Sequence, residues 1–427
     1  MQRILVVLVL VGLLGLPPRA AASAQRRSHF WPMLQHDPHH TGQSLAPGPQ
    51  EGRRLWEVVL APGAPAGGVL RTPVVDQDGT IYVGAGTPGT GHLYAITPQG
   101  TVQWQSPRLE AAPSTPALGP DGTVYVGTED FGRPLYALDP RTGAITGTVA
   151  LSDPVHAITV LENGTLYVTS ERGFLYALQP DLREHWRVPL GMAAAAPVVG
   201  RDGTIYVVAP GLQAYHPNGT LHWARPLGNA GIVVAPSGTL YAAGNGRAGA
   251  PGLTAFAPDG TPLWGAALPV AVCGAFAQLL GVSLPGIAPD GALIVGVMGA
   301  QRPGVGGGSG TIQAFNADGS PRWTFCPATV GDTIDTAPII DRDGQVYFIT
   351  GPQGRVAPKT LYALRPDGSE HWSAPLGSVV GDGLALGPGR LYVTTQEQEG
   401  VKLVAFGAVA VPDGPPTIAI SPTAGPN

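Results

Sequence analysis

Eight times along the 427-residue chain, a glycine leads directly into a short apolar, β-branched run. The runs are "TIYVGA" (80–85), "TVYVGT" (123–128), "TLYVTS" (165–170), "TIYVVA" (204–209), "TLYAAG" (239–244), "ALIVGV" (292–297), "QVYFIT" (345–350) and "RLYVTT" (390–395). The leading glycines are Gly79, Gly122, Gly164, Gly203, Gly238, Gly291, Gly344 and Gly389. Their mean spacing is about 44 residues, the period of a four-stranded propeller blade. A unit of that length cannot bury its apolar face alone, so the repeat predicts stacked units with a continuous core between them.

Each copy carries a further strand: "LYAIT", "LYALD", "LYALQ", "LQAYH", "LTAFA", "IQAFN", "LYALR" and "LVAFG". In six copies a tryptophan follows nine residues after that strand's alanine, as in Ala95/Trp104, Ala177/Trp186, Ala214/Trp223, Ala255/Trp264, Ala314/Trp323 and Ala363/Trp372. A constant interval across a "PDG"-like turn implies a constant hairpin. These six, together with Trp56, are expected to wedge one blade against the next, since large aromatics dominate such packing. The eighth copy lacks a fourth strand after "VKLVAFG", whereas "RRLWEVVL" (53–60) has that form and precedes copy one. The expectation is an all-β, eight-bladed propeller of four-stranded antiparallel blades. Its ring is closed by the N-terminal strand joining the last blade, which removes the long unpaired edge.

Glycine spacing also imitates another fold. Gly84, Gly86 and Gly89 spell G-x-G-x-x-G, as do Gly244, Gly246 and Gly249. A dinucleotide site needs a helix to open from those glycines. Here "HLYAI" and "LTAF" follow, each soon meeting a proline, Pro98 or Pro258, so the glycines read as hairpin turns. With 62 glycines and 45 prolines, a quarter of the chain is turn punctuation. The net charge of −5 gives no basic field for nucleic acid.

At the N-terminus Arg3, the 13-residue core "ILVVLVLVGLLGL" and "AAASAQ" read as a signal peptide cleaved after Ala24. The expectation is a secreted or periplasmic protein without a transmembrane segment, the core being too short to span a bilayer. The chain divides into a leader (1–24), a lead-in (25–52), the propeller (53–409) and a proline-rich tail or linker (410–427). Cys273 and Cys326 are the two cysteines. In an oxidising compartment they are candidates for one disulfide, with two separate thiols as the alternative.

"LYALDPRTGAITGTV" (135–149) resembles the A-x-D-x-x-T-G-x-x-x-W repeat of pyrroloquinoline-quinone-type (PQQ-type) β-propellers, with Gly147 where tryptophan is expected. The other copies are similar to a shorter variant, A-x-x-P-x-G-x-x-x-W, and "WPMLQHDPHHTGQS" (31–44) to the segment that often precedes the first blade. The resemblance implies the propeller fold. Functionally it spans quinoprotein dehydrogenases and non-catalytic members such as the outer-membrane assembly propeller. In the dehydrogenases the quinone lies at the ring centre against a disulfide of adjacent cysteines, beside calcium and an aspartate base. No Cys-Cys pair exists here. The non-catalytic branch is therefore expected, without catalytic residues, metal site or cofactor. A PQQ- and calcium-dependent oxidoreductase is the alternative.

Loop length indicates where a site would lie. Turns between first and second strands, and between third and fourth, stay tight. All variation falls in the second-to-third and blade-to-blade connections, which open on one face, and insertions on one face mark the binding side of a repeat protein. Blades five to seven carry the longest, and their polar residues Gln301, Arg302, Asp332, Asp335, Arg355 and Lys359 are the binding candidates. The expected partner is a protein or cell-envelope polymer bound by a monomer. "HDPHH" (36–40) has metal-ligand chemistry, but its place in the lead-in favours a structural cap. "DQDG" and "DRDG" lack the further acids of a calcium loop.

Overall fold

The computed structural model describes residues 29–408 except 63–68, 88, 129–133, 193–194, 229, 246–250, 269–272, 274–277, 301–309, 329–331, 353–357, 378 and 398–399. The leader and the tail (410–427) lie outside the described residues. All regular structure among the described residues is β-strand, arranged as eight antiparallel sheets in a ring. The chain is an eight-bladed β-propeller, as the repeat predicts.

Each blade runs outward from the axis through strands A, B, C and D. In blade 3 these are Val155–Val160, Leu166–Ser170, Phe174–Leu178 and Glu184–Pro189. Strand B of that blade is buried at every residue, because both of its faces meet neighbouring blades. That is why its sequence reads as an unbroken apolar run rather than an alternation. Strand D of blade 2, Ile145–Ala150, alternates half-buried and exposed, as an outer strand with one wet face must. In blades 1, 6 and 7 strand A is split in two, which makes five-stranded sheets by count. The glycine string of blade 1 lies in its B–C hairpin: Gly84 and Gly86 are within strand B (Ile81–Thr87), and Gly89 turns at φ +82°.

Blade 8 is closed as expected. Arg54–Pro62 pairs antiparallel with Gly400–Gly407, so the first strand supplies strand D of the last blade. Lys402, nearly buried, spans the seam with its Nζ 3.0 Å from Glu57 Oε1 and 2.9 Å from Glu397 Oε2. The hydrogen bond from Lys402 holds the Glu57 carboxyl below its ordinary pKa.

One contact is repeated round the ring. The strand D tryptophan lies against a glycine in the C–D turn of the next blade and donates its indole N–H to a carbonyl there. Trp223 is representative. Its Nε1 is 2.9 Å from Pro258 O, and a Cβ added at Gly260 would stand 2.7 Å from its ring. Gly260 also has φ +78°, so both space and backbone require glycine. Trp104, Trp186, Trp264, Trp323 and Trp56 repeat the arrangement on Pro140, Pro217, Ala317, Pro366 and Pro98. Trp372 finds it in the lead-in, on Pro49 O and Gly52, because these residues take the place of the C–D turn in blade 8.

Blade 2 has Gly147 in place of the tryptophan, and the receiving position in blade 3 is not glycine but Leu182. Leu182 is buried at φ +66°, with its Cδ1 3.7 Å from where a Gly147 Cβ would lie. Knob and socket have exchanged sides. Leu182→Gly alone should lower stability by about 2 kcal/mol, the cost of an emptied leucine site less the relief of its left-handed backbone. Gly147→Trp together with Leu182→Gly should recover most of that loss. Urea melts of the two single variants and the double variant measure the coupling.

Candidate functional site

Residues 29–52 lie across one end of the ring axis and close it with main-chain bonds. Trp31 exchanges two hydrogen bonds with Val75 of blade 1. The carbonyls of Pro32, Pro38, His39, Thr41, Gly42 and Pro47 accept from Leu118, Val199, Val234, Ile287, Ile340 and Gly389, in blades 2, 4, 5, 6, 7 and 8. Blade 3 is reached by Met33, which shares a buried cluster with Val160. Most of these donors end a strand A, so the hub sits on the face of the A–B turns. The histidine cluster belongs to it. Asp37 pairs with His36 Nδ1 at 3.3 Å, accepts the His39 amide at 2.9 Å and is bonded by Thr41, while His39 Nδ1 turns away to Val199 O. Among the described residues no three His, Cys, Asp or Glu are grouped to hold a metal. Asp76 and Asp341, from the two calcium-like strings, cap their own turns. Each accepts two amides of its own turn and a tyrosyl hydroxyl, and Asp341 also accepts the Gly48 amide of the lead-in.

Above the hub the axis is a funnel of about 290 Å³ that opens toward the face of the long connections. Leu34 and His40 of the lead-in line its floor. The walls come from Arg71, Ser114, Thr115, His156, Ala157, Ile158, Ala195, Ala196, Ile232 and Leu284. None of these described lining residues is a carboxylate. Calcium takes six to eight oxygen ligands with Asp or Glu among them, so this lining does not fit a calcium-held quinone or supply an aspartate base.

The six candidate binding residues are placed unequally. Gln301, Arg302 and Arg355 lie outside the described residues. The other three come together in blade 7: Lys359 Nζ is 2.7 Å from Asp335 Oδ2 and 3.1 Å from Pro352 O, and Asp332 accepts Thr350 Oγ1 at 3.3 Å. Asp332 and Lys359 are buried. Burial, with Asp335 adding like charge, raises the Asp332 carboxyl against the bond from Thr350 and the Lys359 charge. These groups brace the root of the blade 6–7 connection. Cys273 and Cys326 form a disulfide, Cα to Cα 5.8 Å, which ties the blade 5–6 connection to the end of strand D in blade 6. Sequence reasoning did not reach the funnel, because its lining is mostly Ala, Ile, Ser and Thr, residues with no motif.

A family model described as outer membrane protein assembly factor BamB matches residues 132–215, from strand C of blade 2 to strand C of blade 4. BamB from Moraxella catarrhalis is similar in structure at 19% identity, covering 83% of this chain and 97% of that one with a TM-score of 0.56. Quinohemoprotein alcohol dehydrogenase from Comamonas testosteroni is similar at 15% identity, covering 92% and 83% with a TM-score of 0.62. Quinohemoprotein alcohol dehydrogenase ADHIIG from Pseudomonas putida HK5 gives 13%, 90%, 81% and 0.60. No curated protein sequence matches the chain. The chain is thus a PQQ-like β-propeller in fold, and its resemblance to both branches holds at that level.

The hub also carries a pH dependence. Burial pushes His40 from 6.5 down to about 4, with Asp37 opposing and His39 adding to the fall. Between those values only the unfolded chain takes up the proton, so stability drops as pH falls from 6.5 to 4, by about 3 kcal/mol. Asp37 behaves separately. Burial opposes its charge, but the His36 and Thr41 bonds outweigh that and bring it from 3.8 to about 2, so its contribution is lost only below 3.8. His40→Asn, which tolerates the φ of +58° found there, should flatten the stability profile between pH 6.5 and 4 and leave the lower step in place. Denaturant melts across that range measure both.

Proposed function

We propose that this chain is an exported, non-enzymatic propeller that binds a protein partner or envelope polymer through the connections of blades 5 to 7. The Cys273–Cys326 disulfide is the observation that carries the reading. It belongs to an oxidising compartment, in keeping with the leader-like N-terminus. It also ties the blade 5–6 connection at Cys273 to blade 6, which lowers the ordering cost of binding there. The fold of BamB, described as an outer membrane protein assembly factor, is compatible with such a role. Asp335 paired with Lys359 stiffens the base of this side.

A photo-crosslinking residue at Ala328, in the blade 6–7 connection, should capture one partner in the cell envelope. The same residue at Asn218, in a C–D turn of the opposite face, should capture none, and Cys273→Ser should reduce the Ala328 product severalfold. Equal capture from both faces would remove the reading. The quinoprotein alternative, favoured by the dehydrogenase neighbours, is tested by the melting temperature of the chain from Gln25 onward with PQQ and calcium. A ligand at 100 times its dissociation constant adds about 2.7 kcal/mol, and a funnel with no carboxylate among its described lining residues predicts no shift.

A further inference from the structure

Blade 6 departs from the other seven at one position of strand B. The second residue of that strand is Tyr82, Tyr125, Tyr167, Tyr206, Tyr241, Tyr347 or Tyr392 in the others, and Ile294 in blade 6. Six of those tyrosines lie against the strand D tryptophan of their own blade, at ring-centroid distances of 5.8 to 5.9 Å. In four interfaces the phenol oxygen and the indole N–H lie within 3.5 Å of one carbonyl oxygen, that of Pro140, Pro258, Ala317 or Pro49. The Tyr206 and Tyr241 hydroxyls have that carbonyl as acceptor, while Tyr82 and Tyr347 also face a carboxylate, Asp76 or Asp341, at 3.1 Å.

In blade 6 the tryptophan is present and the tyrosine is not. Trp323 still donates to Pro366 O at 2.9 Å, but Ile294 stops short of the space that a phenol ring fills elsewhere. What remains is a cavity of about 140 Å³ lined by Ile294, Trp323, Ala288, Val346 and Pro366 and by the charged Asp290, Arg322, Arg342 and Asp343. A cavity of about 150 Å³ takes a benzene ring. Arg322 pairs with Asp290, and in blade 7 Arg342 with Asp343. It lies among the A–B and C–D turns, on the face opposite the connections of blades 5 to 7.

We propose that this cavity is a binding site for a phenol unsubstituted at the para position, whose ring lies beside Trp323 and whose hydroxyl donates to the Pro366 carbonyl. The occupant is specified by the protein's own repeats. Six copies of the same interface hold a tyrosyl ring in that place, and a carbonyl oxygen has two lone pairs for the two donors. In the other blades the para carbon is joined to buried strand B, so here it faces Ile294, and the ring is that of a free phenol. The proposal is independent of partner binding on the other face.

Titration of the folded chain with phenol, followed by the indole N–H resonances of its tryptophans, tests it. The Trp323 resonance, assigned with Trp323→Phe, should move saturably, with nuclear Overhauser contacts between the phenol ring and the Ile294 methyls. Benzene should bind about fivefold more weakly, the factor one neutral hydrogen bond supplies. Ile294→Tyr should abolish the phenol response by filling the site from within. p-Cresol, whose methyl meets Ile294, should bind more weakly than phenol, and p-cresol binding more tightly overturns the pose. The absence of any change at millimolar phenol, or contacts only elsewhere, overturns the site. Benzene binding as tightly as phenol overturns the role of Pro366. The contacts to Ile294 are read on the unaltered protein, so the test survives a variant that fails to fold.

Discussion

The ring depends on the contact between a tryptophan of one blade and the turn of the next. Pairing within a blade is satisfied by that blade's own hydrogen bonds and says nothing about its neighbour. Blade-to-blade registry must come from side chains, and here it comes from an indole that fills the space above a glycine and donates to a nearby carbonyl. The indole supplies apolar area and direction together. Its N–H must find an acceptor when buried, and the turn carbonyl lies at one angle from the ring. Seven repetitions of that geometry fix the angle between blades, and with it the diameter of the channel and the spacing of the loops above.

The two exceptions to the repeat treat the junction volume in opposite ways. At the junction of blades 2 and 3, Gly147 replaces the indole and Leu182 replaces the glycine, so the filling side chain comes from the other blade. Leu182 accepts a left-handed backbone to do so, a strain of the kind tolerated when the surroundings fix it. At the junction of blades 6 and 7, Ile294 replaces a tyrosine and no neighbour moves in. One departure is compensated and the other is not. That contrast separates a neutral drift in packing from an opening that can be used.

Much of this was legible in the chain. Strand B, strand C, the tryptophan interval and the displaced fourth strand each have a sequence period, and together they define eight blades and a closure that the structure repeats. The lead-in was legible only as a cap. Its contacts are carbonyl oxygens of Pro32, Pro38, Thr41 and Gly42 meeting strand ends, and main-chain bonds leave no trace in side-chain identity. Asp332 and Lys359 illustrate a different blindness. Polar residues beside a long connection look solvated in sequence, yet these two lie in strands of blade 7, Asp332–Ile334 and Lys359–Leu364, and are buried. Ile294 was in plain view in "ALIVGV", but its significance needs the neighbouring ring of Trp323, which is distant in sequence.

The hub decides what the axis can do. A propeller whose channel is open at both ends can pass or hold a ligand from either side. Here the main chain of residues 31 to 47 closes one end by bonding seven of the blades directly, and removing any single bond leaves the rest in place. The funnel above it is consequently a one-ended depression whose floor includes a histidine too buried to hold a proton near neutrality. Among the described residues its walls are mostly small and aliphatic, with Arg71 and His156 as their titratable groups. Such a lining offers few oxygen ligands to a metal-bound cofactor. The hub gives the connections around the mouth a fixed base, so the partner binding proposed above would not require ordering of the scaffold beneath it.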